Sequence, residues 1–107
     1  MLGAHVSSQG GVAMAPARGA ALRATAIQLF TKTPSQWRER TLEDEQIERF
    51  RSEVARHKLE AVVAHDSYLI NLASPDPVLR ARSMESFTKE LERSRALGVR
   101  AVVSHPG

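Results

Sequence analysis

The chain has no cysteine, which excludes disulfide bonds, thiolate metal ligands and cysteine nucleophiles from its chemistry. A metal site in this protein must therefore use histidine and carboxylate side chains. Aromatic residues are also scarce, at 5% of the sequence, with one tryptophan and one tyrosine. The position of each of these two side chains is therefore informative.

Long apolar runs are absent as well. No stretch approaches the length of a transmembrane helix, and the first residues lack the basic and apolar regions of a secretory signal. We therefore expect a soluble cytoplasmic protein with no membrane partner. Fifteen Lys and Arg against twelve Asp and Glu give a formal net charge of +3, a mild excess that permits a nucleic-acid partner without requiring one.

Short apolar segments alternate with helical patterns along the 107 residues, which are enough for one small domain. Strands are predicted over 2–7, 24–30, 61–64 and 99–104, and helices over 12–23, 42–58 and 75–97. The order β-α-β-α-β-α-β predicts right-handed crossovers and a wholly parallel α/β sheet. Because a (β/α)8 TIM barrel takes about 250 residues, we interpret 1–107 as its truncated amino-terminal half. An open doubly wound sheet is the alternative, but the G-x-G-x-x-G turn is absent after the first strand.

The helix boundaries and buried faces are predicted from capping residues and apolar spacing. Thr41 is the expected N-cap of the second helix, the segment 74–76 that of the third, and Gly98 the residue that ends the third. The expected buried stripes are Ile47, Phe50 and Val54 in the second helix and Met84, Phe87 and Leu91 in the third. The charged runs 39–58 and 89–100 mix both signs and predict solvated faces.

Two histidines, His65 and His105, each end an apolar strand candidate. In a parallel sheet the carboxyl ends of the strands open onto one face, and neutral imidazole is a good zinc ligand. A shared metal site is therefore one interpretation, and a hydrogen-bonded structural role for each histidine is the other. His5, near the end of the first strand, is a candidate for supporting such a site, and His57 is predicted to be a solvated surface residue.

Other candidates lie in the loops at the same face. Asp66 follows His65 directly, and its possible roles are general base, orienting partner of an imidazole, or cap of the loop backbone. Tyr68 and Leu69 either pack against the core or act as wedges into a ligand such as the minor groove of DNA. Trp37 and Arg38 combine a stacking surface with a cation that binds phosphate, although a single tryptophan commonly anchors its own loop.

Several ordered motifs together resemble the amino-terminal part of the endonuclease IV family. They are Gly3-Ala4-His5-Val6-Ser7, Leu29-Phe30-Thr31-Lys32, Gln36-Trp37-Arg38, His65-Asp66-Ser67-Tyr68-Leu69-Ile70-Asn71-Leu72 and His105-Pro106-Gly107. The resemblance implies a TIM-barrel endonuclease of base-excision repair. Such an enzyme uses a cluster of up to three zinc ions to hydrolyse the phosphodiester on the 5′ side of abasic sites in duplex DNA.

The resemblance also implies individual roles. His65 and His105 would be zinc ligands, Tyr68 and Leu69 would enter the minor groove, and the loop of Trp37 and Arg38 would contact DNA. An abasic nucleotide has lost its stacking and pairing, which lowers the cost of flipping it out. The remaining ligands of the family lie on strands beyond Gly107, and two histidines fall short of the three protein ligands usual in catalytic zinc sites.

We therefore expect this piece to be inactive alone, although the complete protein is expected to be a monomeric zinc-dependent phosphodiesterase. One alternative is a sugar isomerase or epimerase of the xylose-isomerase-like barrels. Another is a half-barrel without enzymatic activity whose exposed sheet edge is covered by a second copy, so that the fragment self-associates.

Overall fold

The computed structural model describes residues 2–32, 42–66 and 69–104. The strands are β1 (Gly3–His5), β2 (Ala26–Leu29), β3 (Ala61–His65) and β4 (Ala101–Val103). A 3₁₀ turn (Val12–Met14) leads into α1 (Ala15–Ala21), and α2 (Asp44–Arg56) and α3 (Pro77–Leu97) are the other two helices. The predicted alternation of strand and helix is confirmed, although β1, β2 and β4 are shorter than their apolar runs.

The four strands form one parallel sheet in the order β1-β2-β3-β4. Its register aligns His5 with Gln28, Gln28 with Val63, and His65 with Val103. Each strand therefore pairs with the next strand along the chain, as in a (β/α)8 barrel, whereas a doubly wound sheet reverses its strand order. The topology is that of a TIM barrel, as the sequence predicted.

Burial alternates along the central strands, which shows that one face of the sheet is covered by the helices. Ile27 and Leu29 of β2 and Val62 and Ala64 of β3 are buried, while the residues between them are only half-buried. The helices are also neighbours of one another, since α1 contacts α2 and α2 contacts α3. Although residues 61–64 are apolar on both faces of β3, the helix layer buries only one of those faces.

Helices α2 and α3 each start two residues later than predicted. Within the predicted capping segment 74–76, Asp76 caps α3: its carboxylate accepts a hydrogen bond from the Val78 N–H at 2.9 Å, and Pro77 fills the first helical position. At α2 the cap is Glu43, whose N–H donates to the Gln46 side-chain oxygen at 3.2 Å, and the predicted cap Thr41 lies outside the described residues. Gly98 ends α3 in the left-handed conformation, with φ 77°, as predicted.

The buried face of α3 is polar rather than apolar. The predicted stripe is wrong for two of its three residues, since Met84 is 53% exposed and Leu91 46% exposed. The residues that α3 does bury are Ser83, Ser86, Glu90, Arg93, Ser94 and Leu97. The apolar spacing therefore predicted burial for the wrong face of this helix, one next to the face that is buried. Among the described helices, α3 included, none has the length and apolar character needed to cross a bilayer.

Candidate metal centre

His65 is the last residue of β3 and belongs to the sheet face opposite the helices, because it alternates with the buried Val62 and Ala64. Its Nδ1 lies 2.7 Å from the main-chain oxygen of Asp66. A carbonyl oxygen can only accept, so the proton is on Nδ1 and the lone pair is on Nε2. This is the arrangement in which an imidazole serves as a metal ligand, with its second nitrogen oriented by a backbone carbonyl.

Three rings line the carboxyl ends of the first three strands. Phe30 follows β2 and makes edge-to-face contacts with His5 on one neighbouring strand and His65 on the other, with ring centroids 5.1 and 5.3 Å away. His5 is exposed, and its Nδ1 lies 3.3 Å from the Gln28 side-chain oxygen. Because Phe30 lies between the two imidazoles in the sheet order, His5 is placed beside the site rather than against His65.

Asp66 is buried, with only 2% of its surface exposed. Its Oδ2 accepts a hydrogen bond from the Ser104 hydroxyl at 2.9 Å, and its N–H donates to the Val103 carbonyl oxygen at 2.8 Å. Asp66 is therefore bonded to the end of β4 by both main chain and side chain. The Asp66 group that contacts the neighbouring imidazole is the main-chain oxygen described above.

A second buried polar group lies on the helix-covered side of the sheet. Glu90 and Arg93 of α3 form an ion pair, and both bond the Thr31 hydroxyl at the end of β2, with Arg93 Nε donating to Thr31 at 3.0 Å. Glu90 is 2% exposed and Arg93 9% exposed. The prediction that the run 89–100 forms a solvated face is therefore wrong for these two residues.

The pKa of the Glu90 carboxyl is raised by its burial, and the charge of Asp66 adds to the rise. The hydrogen bond from Thr31 and the charge of Arg93 act in the opposite direction. Asp66 and Glu90 are both buried, with 2% of each residue exposed. We call the set Thr31, Asp66, Glu90, Arg93 and Ser104 the polar layer.

The structure describes only part of the predicted site. Trp37, Arg38, Tyr68 and His105 lie outside the described residues. Leu69 is half-buried, and the following Ile70 is buried at 5% exposure. The loop is fixed to α3, because the N–H of Asn71 donates to the Ser83 hydroxyl at 2.9 Å.

Within residues 2–32, 42–66 and 69–104, no three histidine, aspartate or glutamate side chains come together in a group that could hold a metal ion. The described part thus supplies one suitable imidazole, His65. His105 lies two residues beyond Val103, the residue paired with His65. The register therefore leads the chain of β4 toward the same edge of the sheet.

The polar layer was missed by the sequence reasoning, apart from Asp66. Its signal was present, since Glu90, Arg93 and Leu97 recur at helical spacing and share one face of α3. Charged residues in a mixed run are usually solvated, and for this reason the pattern was interpreted as surface.

Comparison with known proteins agrees with this architecture. Residues 16–107 match the family model described as a xylose isomerase-like TIM barrel. The chain is 44% identical to a probable endonuclease 4 of Campylobacter hominis and 42% identical to one of Thermoplasma acidophilum. Both alignments cover 99% of this chain and 38% of the relative.

Among solved structures, endonuclease IV of Thermus thermophilus superposes with a TM-score of 0.92 at 39% identity. The match covers 99% of this chain and 40% of that one. The chain therefore spans about two fifths of the length of the proteins it matches.

Proposed function

Since the chain belongs to the xylose isomerase-like TIM barrel family and to the endonuclease IV family within it, we propose that it forms part of a zinc-dependent DNA-repair endonuclease. The proposed reaction is hydrolysis of the phosphodiester on the 5′ side of an abasic nucleotide in duplex DNA, as a step of base-excision repair. The proposed place of action is the cytoplasm.

One observation carries the proposal: the orientation of His65 at the carboxyl end of β3. Its Nδ1 lies at hydrogen-bonding distance from the Asp66 carbonyl oxygen, which orients the ring at the face where TIM barrels place their active sites. The donor is thus suited to a zinc ion.

His65 and His105 are the proposed zinc ligands, and the remaining ligands of a site with up to three ions would come from a longer chain. When bound, zinc stabilises charge on phosphate oxygens and lowers the pKa of water toward neutrality. The contribution of the described part of this chain is to present the imidazole of His65 in an orientation held by the Asp66 carbonyl oxygen. Because two protein ligands are fewer than the three of a catalytic zinc site, we propose that the 107-residue piece is inactive alone.

The loops at the same face are the proposed DNA contacts. Tyr68 and Leu69 would enter the minor groove beside the lesion, where an apolar wedge unstacks a base step. The attachment of Asn71 to Ser83 would hold this loop against the strain of insertion. Trp37 and Arg38 would stack and bind phosphate, and His5 would support the site from beside Phe30.

The edges of the described sheet are β1 and β4, and Val103 on β4 is 36% exposed. Unpaired strand edges associate readily with other strands. We therefore propose that the isolated piece self-associates, whereas the complete protein is a monomer. A mass by light scattering that stays monomeric at every concentration would contradict the first clause.

Zinc titration of the chain tests the ligand assignment. The wild-type chain should bind zinc, and His65→Ala should lower its affinity at least 10-fold because half of the proposed donor pair is lost; His105→Ala should do the same. Isothermal titration calorimetry at neutral pH measures both effects.

His57→Ala is the matched control, since His57 lies at the end of α2 beside Glu53 and takes no part in the proposed site. It should bind zinc as the wild type does. Equal affinities for the His65, His105 and His57 variants would refute the assignment.

A further inference from the structure

Alternation along β3 places Asp66 on the opposite side of the sheet from His65. His65 belongs to the open face of the sheet, so the next residue, Asp66, turns toward the helices and is buried. Ser104 follows Val103 and meets Asp66 on that same side. Each residue that forms this hydrogen bond is therefore the immediate chain neighbour of a proposed ligand.

The bond between these neighbours joins the ends of two strands, one of them very short. β4 is only three residues long, and it is an edge of the described sheet. Past the paired residues His65 and Val103, the Asp66 N–H bonds the Val103 carbonyl and the Ser104 hydroxyl bonds the Asp66 carboxylate. The side-chain bond involves Ser104, which is one residue closer in sequence to His105 than Val103 is.

We propose that Asp66 and Ser104 are positioning residues that hold His65 and the end of β4 in a fixed arrangement. This proposal rests on the function proposed above. Asp66 acts at two points: its carbonyl oxygen orients the ring of His65, and its carboxylate holds Ser104 at the end of β4. On the helix-covered side of the sheet, Glu90 and Arg93 join α3 to Thr31 through hydrogen bonds.

Replacing one hydroxyl tests this role. Ser104→Ala should lower zinc affinity about 10-fold, in the range typical for loss of a group that orients a metal ligand. It should also speed hydrogen exchange of the Asp66 amide about 10-fold, because the amide bond to Val103 loses its neighbouring support. Calorimetry measures the affinity, and NMR measures the exchange without any metal.

Ser94→Ala is the matched control, since Ser94 is a buried serine of α3 whose hydroxyl has no hydrogen-bond partner in the part of the chain that the structure describes. It should change neither quantity. Ser104→Thr keeps a hydroxyl and should retain wild-type values of both. If circular dichroism shows that Ser104→Ala is unfolded, the threonine variant decides the question. A 10-fold loss of zinc affinity and a 10-fold faster exchange of the Asp66 amide in Ser104→Thr would overturn the proposal.

The two measurements separate this proposal from the proposed function. A folded Ser104→Ala chain with unchanged amide exchange and unchanged zinc affinity overturns the positioning role. A wild-type chain that binds no zinc overturns the ligand assignment, and the amide exchange then still reports whether Ser104 holds the strand ends together.

Discussion

Arg93→Met should destabilise the folded chain by about 3 kcal/mol, which is the cost expected when one partner of a buried ion pair is removed. The guanidinium of Arg93 bonds both Glu90 and Thr31 where almost no solvent reaches. Methionine fills a similar volume but leaves the Glu90 carboxyl buried without its counter-charge. Urea unfolding monitored by circular dichroism measures the loss.

The double variant Glu90→Leu/Arg93→Met distinguishes a lost ion pair from lost packing. Replacing both partners removes the unpaired carboxyl, so the double variant should be more stable than Arg93→Met alone. Arg95→Met, at an exposed position two residues along α3, should stay within about 0.5 kcal/mol of the wild type. If Arg93→Met lowered the free energy of unfolding as little as Arg95→Met does, the result would contradict the structure of the polar layer.

Phe50→Ala should cost about 4 kcal/mol, the upper part of the range for removal of a fully buried aromatic side chain. Phe50 is 0% exposed and belongs to the core formed with Ile27, Leu29, Val62 and Leu97. Its loss leaves a cavity in this core. Thermal and urea unfolding measure the change, and a loss below about 1 kcal/mol would show that Phe50 is not in the core.

Met84→Ala is the companion variant, because apolar spacing predicted Met84 to be buried and the structure places it 53% exposed. Its cost should be within about 0.5 kcal/mol. If Met84→Ala proves as damaging as Phe50→Ala, the orientation of α3 described here is wrong and the sequence-based stripe is right.

The fold was predictable because its signals are local and agree with one another. Apolar runs interrupted by helical patterns fix the β-α order, and a glycine at 98 ends α3 in the conformation that glycine favours. Strand order and parallel pairing then follow from the general rules for β-α-β connections. Helix starts were less certain, because both Ser74 and Asp76 precede a proline and only the structure shows which one caps the helix.

Of the residues that form the candidate site, His65 and Asp66 stand out in the sequence because they directly follow the apolar segment 61–64. Glu90 and Arg93 do not stand out, since an ion pair buried between a helix and a sheet has the same sequence pattern as one on a solvated helix surface. Their burial depends on contacts with Thr31, 59 and 62 residues away along the chain, which no local pattern contains.

The most direct test of the proposed function is incision of an abasic-site duplex by a completed barrel. This chain would be joined to the part of Thermus thermophilus endonuclease IV that it does not span, and cleavage would be followed with a labelled strand. We expect chelator-sensitive cutting on the 5′ side of the abasic nucleotide, reduced at least 100-fold by His65→Ala. A folded, zinc-loaded chimera that does not cut, or that cuts equally well with His65→Ala, would contradict the account.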